Sequence, residues 1–199
     1  MGERGDAGMT HVGYKLHDEV QTAGRALKKA ASLGVRKVEN PSLKSCSERD
    51  AILVMSFGTT FAETRKKTIE AVVEEVQRIH PKVTVRLAFT SHIVIARVKA
   101  NEGISYPTPE EALQTLKDEG YTRVALVSLD IIPGIEYAYK CEVFEECSAW
   151  FRTMTLGTPL MYWMGQEEQP DDVAEFVKAV ATQLPKQGPK DAVLLMAHG

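Results

Sequence analysis

Four short segments of this 199-residue chain carry the residue types that can do chemistry. Met196-Ala197-His198-Gly199 sets an imidazole in a turn behind an apolar run. Ser56-Phe57-Gly58-Thr59-Thr60 sets hydroxyls around a glycine in a similar turn. Thr90-Ser91-His92 and Asp130-Ile131-Ile132-Pro133-Gly134-Ile135-Glu136 follow two further apolar runs. A neutral imidazole ligates transition metals or takes a proton near pH 7. Backbone N–H groups at a glycine turn that opens a helix, with hydroxyls beside them, suit a carboxylate or phosphate. Each feature also has an ordinary use. Thr60 and Glu63 have the T-x-x-E spacing of a capping box, and Glu136 suits the dipole of a helix start. One histidine is not a transition-metal site, which needs several ligands. His11, His17, His80 and His92 read as surface residues. The glycine turn lacks the spacing of a nucleotide loop or a dinucleotide fingerprint.

The elements that must position these segments alternate in type. Strands are predicted over Ala51–Ser56, Val83–Phe89, Arg123–Leu129 and Phe151–Leu156, from apolar runs ending in small residues and turns. Helices are predicted over Thr60–Ile79, with Ile69, Val72, Val73, Val76 and Ile79 on one stripe, and over Ser91–Lys99. A third opens at Thr108-Pro109-Glu110-Glu111, a capping box with proline at the first position, and closes at Gly120. Further helices are predicted over Glu136–Ser148 and Asp171–Leu184. Such alternation means an α/β fold, an open parallel sheet with helices on both faces. Ligands of such sheets bind beyond the carboxyl ends of the strands, so all four segments share one rim.

The pattern then restarts. Asp191-Ala-Val-Leu-Leu-Met-Ala-His-Gly199 matches Asp50-Ala-Ile-Leu-Val-Met-Ser-Phe-Gly58 at Asp, Ala, Leu, Met and Gly. The expected organisation is therefore an extension over residues 1–48, a first lobe over 49–190, and the first strand of a second, similar lobe over 191–199. The extension is polar and weakly ordered, with a helix over Asp18–Leu33 and a linker at Asn40-Pro41-Ser42. A net charge of −3 and an ordinary charged fraction of 26% point away from nucleic acid. No apolar run reaches the ~18 residues that cross a bilayer, and the first residues are not a secretory signal. Cys46, Cys141 and Cys147 form no CxxC and read as reduced thiols of a cytoplasmic protein.

The ordered set Ala51–Arg65, Arg86–Ser91, Thr108–Leu113, Ser128–Tyr137, Leu156–Leu160 and Met196–Gly199 closely resembles the CbiK-type anaerobic sirohydrochlorin cobaltochelatases, class II chelatases of corrin biosynthesis. The resemblance implies two similar α/β lobes with the tetrapyrrole between them, and a lyase that inserts Co²⁺ into sirohydrochlorin in cobalamin biosynthesis. It implies that His198 is a metal ligand and the proton acceptor. The family's other two ligands, a Glu and a His, belong to the second lobe and have no positions here. It implies substrate contacts from Ser56, Phe57, Gly58, Thr59, Thr60, Thr90, Ser91, Gly134 and Glu136, with Arg65 or Arg97 available to a carboxylate. No cofactor and no ATP are required, and Co²⁺ is a substrate. The partners are sirohydrochlorin and Co²⁺, with no nucleic acid and no membrane, and homo-oligomerisation is left open. One departure is Asp130, where relatives often carry His after Ser-Leu. The isolated chain is expected to have little or no activity. The rival readings are a ferrochelatase on a related tetrapyrrole and a non-catalytic tetrapyrrole- or metal-binding module.

Overall fold

The computed structural model describes residues 34–165, 169–186, 188 and 190–194. They fall into two compact units divided between Tyr162 and Trp163. The helix expected over 18–33 and the turn bearing His198 lie outside the described residues.

In the first unit one sheet has the order β1-β5-β4-β2-β3. Its strands are β1 (Arg36–Glu39), β2 (Asp50–Ser56), β3 (Thr84–Phe89), β4 (Arg123–Ser128) and β5 (Thr153–Leu156). β2 lies parallel to β3 and β4, and β4 parallel to β5. The expected parallel sheet is therefore present, but it carries one more strand. β1 runs antiparallel to β5, with Arg36 opposite Leu156 and Glu39 opposite Thr153. Its residues come from the stretch that the sequence assigns to the polar extension. The inward position of β1 is an arginine, which hides the alternation by which a half-buried strand is usually read.

The helices are α1 (Ala62–Arg65), α2 (Ala71–Ile79), α3 (His92–Glu102), α4 (Pro109–Asp118) and α5 (Ile135–Cys147). A π-helical turn over Lys66–Glu70 joins α1 to α2. The helix expected over Thr60–Ile79 thus begins two residues late and is interrupted once. The connection from β2 to β3 steps one way along the sheet, and those from β3 to β4 and β4 to β5 step the other way. Right-handed crossovers then put α2 on one face and α4 and α5 on the other. Val124, Leu126 and Ser128 of β4 are buried, whereas Arg123, Ala125 and Val127 are partly exposed, so one sheet face is covered more fully. Leu53, Met55, Phe89, Leu113, Leu126, Phe144 and Leu156 are fully buried and form the core with Tyr137.

The second unit starts with a bridge between Met164 and Asp171. The Trp163 N–H donates to the Asp172 carboxylate at 2.8 Å. Asp171 caps α6 (Asp172–Ala181) by accepting from the Ala174 N–H at 2.9 Å. The helix was expected to reach Leu184, but its last residues tighten into i→i+3 turns. A strand was expected from Ala192. Residues 192–194 carry no ladder, and 195–199 lie outside the described residues. Among the described residues no helix is long and apolar enough to cross a membrane.

The capping box of α4 forms as the spacing predicts. Thr108 Oγ1 accepts from the Glu111 N–H at 3.3 Å, and the Glu111 carboxylate accepts from the Thr108 N–H at 2.9 Å. Thr108→Ala is expected to lower stability by about 1 kcal/mol. Urea denaturation checks this, with a lower midpoint and an unchanged slope.

Candidate functional site at the carboxyl ends of the strands

Strand order reverses between β2 and β4, because their connections leave toward opposite faces. Such a reversal opens a crevice at the carboxyl ends of the two strands. A cleft of about 580 Å³ lies there, lined by Ser56 at the end of β2 and by Ser128, Leu129, Asp130 and Ile131 at the end of β4. Thr158 and Leu160, which follow β5, line it too. Its remaining wall is Thr68, Ile69 and Val72, from the π-helical turn and the start of α2. Interruptions of this kind often sit at functional sites because they re-aim side chains.

The loops around the cleft are tied to one another by main-chain bonds. The Thr90 N–H donates to the Ser56 carbonyl at 2.8 Å, the Leu129 N–H to the Met55 carbonyl at 3.0 Å, and the Leu160 N–H to the Asp130 carbonyl at 3.0 Å. Gly58 has φ +90°. A Cβ there would meet the Phe89 ring at 2.6 Å, so the glycine is required twice over. Phe89 in turn stacks on Tyr106 with ring centroids 4.2 Å apart.

Polar groups beneath the rim are matched to partners. Lys140, fully buried, donates to Asp130 Oδ2 at 2.6 Å, and the Ser128 hydroxyl donates to the same oxygen at 2.8 Å. Burial pulls the Lys140 ammonium below its ordinary pKa, and the neighbouring Asp130 and Glu136 charges oppose that shift. Thr90 Oγ1 donates to Glu136 Oε2 at 3.0 Å. The rim itself is apolar: Phe57, Phe61, Ile93, Ile131 and Ile132 are all exposed, and Ile135 is 84% exposed. Exposed apolar side chains of this size on adjoining loops are the kind of surface a ligand or partner can cover.

The profile described as Cobalt chelatase (CbiK) matches residues 50–199. The chain belongs to the CbiK cobalt chelatase family. It is 33% identical over 151 residues to the sirohydrochlorin cobaltochelatase of Salmonella typhimurium, covering 76% of this chain and 55% of that protein. It is also 33% identical over 154 residues to the sirohydrochlorin cobaltochelatase CbiKC of Nitratidesulfovibrio vulgaris, covering 76% and 52%. The chain thus spans about half the length of the curated relatives it matches. A solved CbiX protein of cobalamin biosynthesis from Marinobacter aquaeolei aligns with 67% of this chain and 95% of its own, at 13% identity and a TM-score of 0.45.

Within this family member the structure sorts the expected residues. Ser56 ends β2 and Glu136 lies in the first turn of α5, while Phe57, Gly58, Thr59, Thr60, Thr90, Ser91 and Gly134 lie on the loops at the strands' carboxyl ends. His198 lies outside the described residues. Among the described residues no group of three or more His, Cys, Asp or Glu side chains could hold a metal ion. Several hydroxyls are already engaged. Ser56 Oγ accepts from the Gly58 N–H at 3.2 Å, Thr90 spends its proton on Glu136, and Ser91 accepts from the Val94 N–H as the cap of α3.

Two expectations are corrected. The Thr60–Glu63 capping box does not form: Phe61 is the residue before α1, and no side chain caps that helix. The late start leaves Glu63 only two positions past the cap, where it cannot reach back, and leaves the first-turn N–H groups without a side-chain cap. Arg65 does not reach the rim. It is buried, bonded to Glu102, and donates to the Thr59 carbonyl at 3.2 Å. It therefore holds the glycine turn from below.

Lys140, Thr68 and Thr158 were not anticipated. A signal existed for Lys140, which sits three residues after Tyr137 and four before Phe144, on the face that helical spacing buries. Gly58→Ala is expected to cost about 2 kcal/mol through strain and overlap, read as a lower denaturation midpoint. Asp130→Ala leaves a buried ammonium unpaired and is expected to cost about 3 kcal/mol. Adding Lys140→Met is expected to recover most of that loss, which a double-mutant cycle measures.

Proposed function

We propose that this chain supplies one lobe of a sirohydrochlorin cobaltochelatase, which inserts Co²⁺ into the tetrapyrrole during cobalamin biosynthesis. The observation that carries this reading is the apolar rim beside the switch-point cleft, inside the region that matches the family. A flat macrocycle with charged edges needs an apolar surface for its face and N–H or O–H donors for its carboxylates. Phe57, Phe61, Ile131, Ile132 and Ile135 supply the first. The uncapped N–H groups at the start of α1, with the Thr59, Thr60 and Ser91 hydroxyls, supply the second.

Metal insertion releases two protons from the inner pyrrole nitrogens as Co²⁺ enters. In this reading the free nitrogen of neutral His198 first ligates the incoming ion and, once the ring nitrogens have taken the metal, accepts one of the two protons, the other leaving to water. Glu136, held by Thr90, adds negative charge at the same end of the sheet and favours a cation there. The relatives are named for a cobalt-inserting reaction, and Co²⁺ is its substrate.

Absorbance titration tests the assignment. Sirohydrochlorin added to the 199-residue chain is expected to show a saturable spectral shift, weakened at least about tenfold by Ile135→Asp, which puts a charge on the apolar surface. His198→Ala is expected to leave that shift in place and to abolish its further change on adding Co²⁺. Little turnover is expected from the chain by itself. A sirohydrochlorin spectrum unmoved by the wild-type chain, or a cobalt response indifferent to His198→Ala, contradicts the assignment.

A further inference from the structure

The region that matches the family begins at residue 50, yet the sheet begins at Arg36. The antiparallel register places Arg36 opposite Leu156, at the carboxyl end of β5 and hence at the rim end of the sheet. Arg36 is 4% exposed. Its Nη1 donates to the Tyr137 hydroxyl at 3.2 Å, and its guanidinium lies 5.8 Å from the centre of that ring. The Tyr137 hydroxyl donates in turn to the Gly157 carbonyl at 3.2 Å, in the loop that follows β5. Just ahead of β1, the Gly34 N–H donates to the Tyr162 hydroxyl at 2.8 Å. Tyr162 packs edge-on against Tyr137, with ring centroids 6.3 Å apart. A segment outside the matched region therefore delivers a buried cation to the tyrosine next to Glu136, in the first turn of α5.

We propose that the segment from Gly34 to Glu39 is a working part of the binding lobe, with Arg36 a positioning residue that acts through Tyr137 to fix the first turn of α5. That turn carries Ile135 and Glu136, so its placement sets both the apolar surface and the carboxylate at the rim. An inward-pointing charge on a short edge strand guards the sheet against pairing with other chains, but that role needs no bonded partner, whereas Arg36 is hydrogen-bonded to Tyr137. The guanidinium instead gives the Tyr137 oxygen a donor while that hydroxyl donates onward, so the bond runs in one direction from β1 through α5 to the β5 loop. Burial holds the Tyr137 phenol protonated well above its ordinary range, which keeps the onward donor in place.

The functional part of this inference rests on the proposed tetrapyrrole site, so two readouts are measured on the full chain. Amide hydrogen exchange reads the anchoring. The Ala138 N–H, bonded to the Gly134 carbonyl at 3.0 Å, reports on the first turn of α5. Arg36→Ala and Tyr137→Phe are each expected to speed exchange at Ala138 by about tenfold, the size of losing one charge-assisted bond. Thr155 in the middle of β5 is expected to keep its wild-type rate. Arg36→Lys, which retains a cationic donor, is expected to recover most of the protection. Sirohydrochlorin titration reads the site, where Arg36→Ala is expected to weaken binding severalfold and Arg36→Lys to restore it.

Unchanged exchange at Ala138 in both Arg36→Ala and Tyr137→Phe overturns the anchoring. Faster exchange with unchanged affinity, or exchange raised equally along β5, overturns the positioning role and leaves an edge strand only. If the wild-type chain fails to move the sirohydrochlorin spectrum, the tetrapyrrole reading fails, and the exchange arm still decides whether Arg36 holds the turn.

Discussion

The reversal of strand order between β2 and β4 governs everything at the rim. Two neighbouring parallel strands whose connections depart to opposite faces cannot close the space above their carboxyl ends with main chain. The crevice that results is bounded by whatever the loops present. In this chain those are a glycine turn, a hydroxyl-bearing turn, and a proline-glycine loop rich in isoleucine. Handed crossovers impose the reversal, so the location of the cleft follows from topology before any particular side chain is considered. The composition of its walls does not, and it is there that the chain is specialised.

A loop cluster of this kind needs support, because loops gain little from main-chain ladders of their own. The charged side chains buried among the described residues are all cations, Arg36, Arg65 and Lys140, and each holds one part of the rim. Arg65 binds the Thr59 carbonyl in the loop after β2, with Glu102 beside it. Lys140 binds Asp130 in the loop after β4. Arg36 reaches the loop after β5 through Tyr137 and Gly157. The loop after β3 is held by Thr90 and Glu136. A buried ion pair adds little net stability over apolar packing, but breaking one is costly. Such pairs suit a task in which the geometry of a loop matters more than its contribution to folding. The rim thus combines an apolar upper surface with a polar lower layer that allows few alternative arrangements.

Most of the framework was legible in the sequence, and the reasons are local. β2 reads as a continuous apolar run because both of its faces are enclosed, and β4 reads alike although one of its faces is only partly buried. α4 was readable from Thr108, Pro109 and Glu111, since capping chemistry depends only on near neighbours. The failures have equally specific causes. β1 was missed because its inward residue is Arg36, whose burial depends on a tyrosine 101 positions away. Arg65 was one of two arginines offered to a substrate carboxylate, because a surface arginine and a buried one look alike until Glu102 is brought beside it. The Thr60–Glu63 box failed because the spacing fits but the chain enters the helix at Phe61. Lys140 had a readable position on α5, yet a lysine on a buried stripe is exceptional enough to be passed over. Of the candidate site, the loops were identified and their internal bonding was not.

The proposed tetrapyrrole would lie across the loops at the carboxyl ends of the strands. Mapping chemical-shift changes on the ¹⁵N-labelled chain during titration with sirohydrochlorin tests it most directly. Shifts are expected to concentrate at residues 57–62, 90–93 and 130–137, with little change around Glu39, Lys44 and Arg152 at the opposite end of the sheet. Shifts centred on that opposite end, or none at saturating sirohydrochlorin, would contradict it.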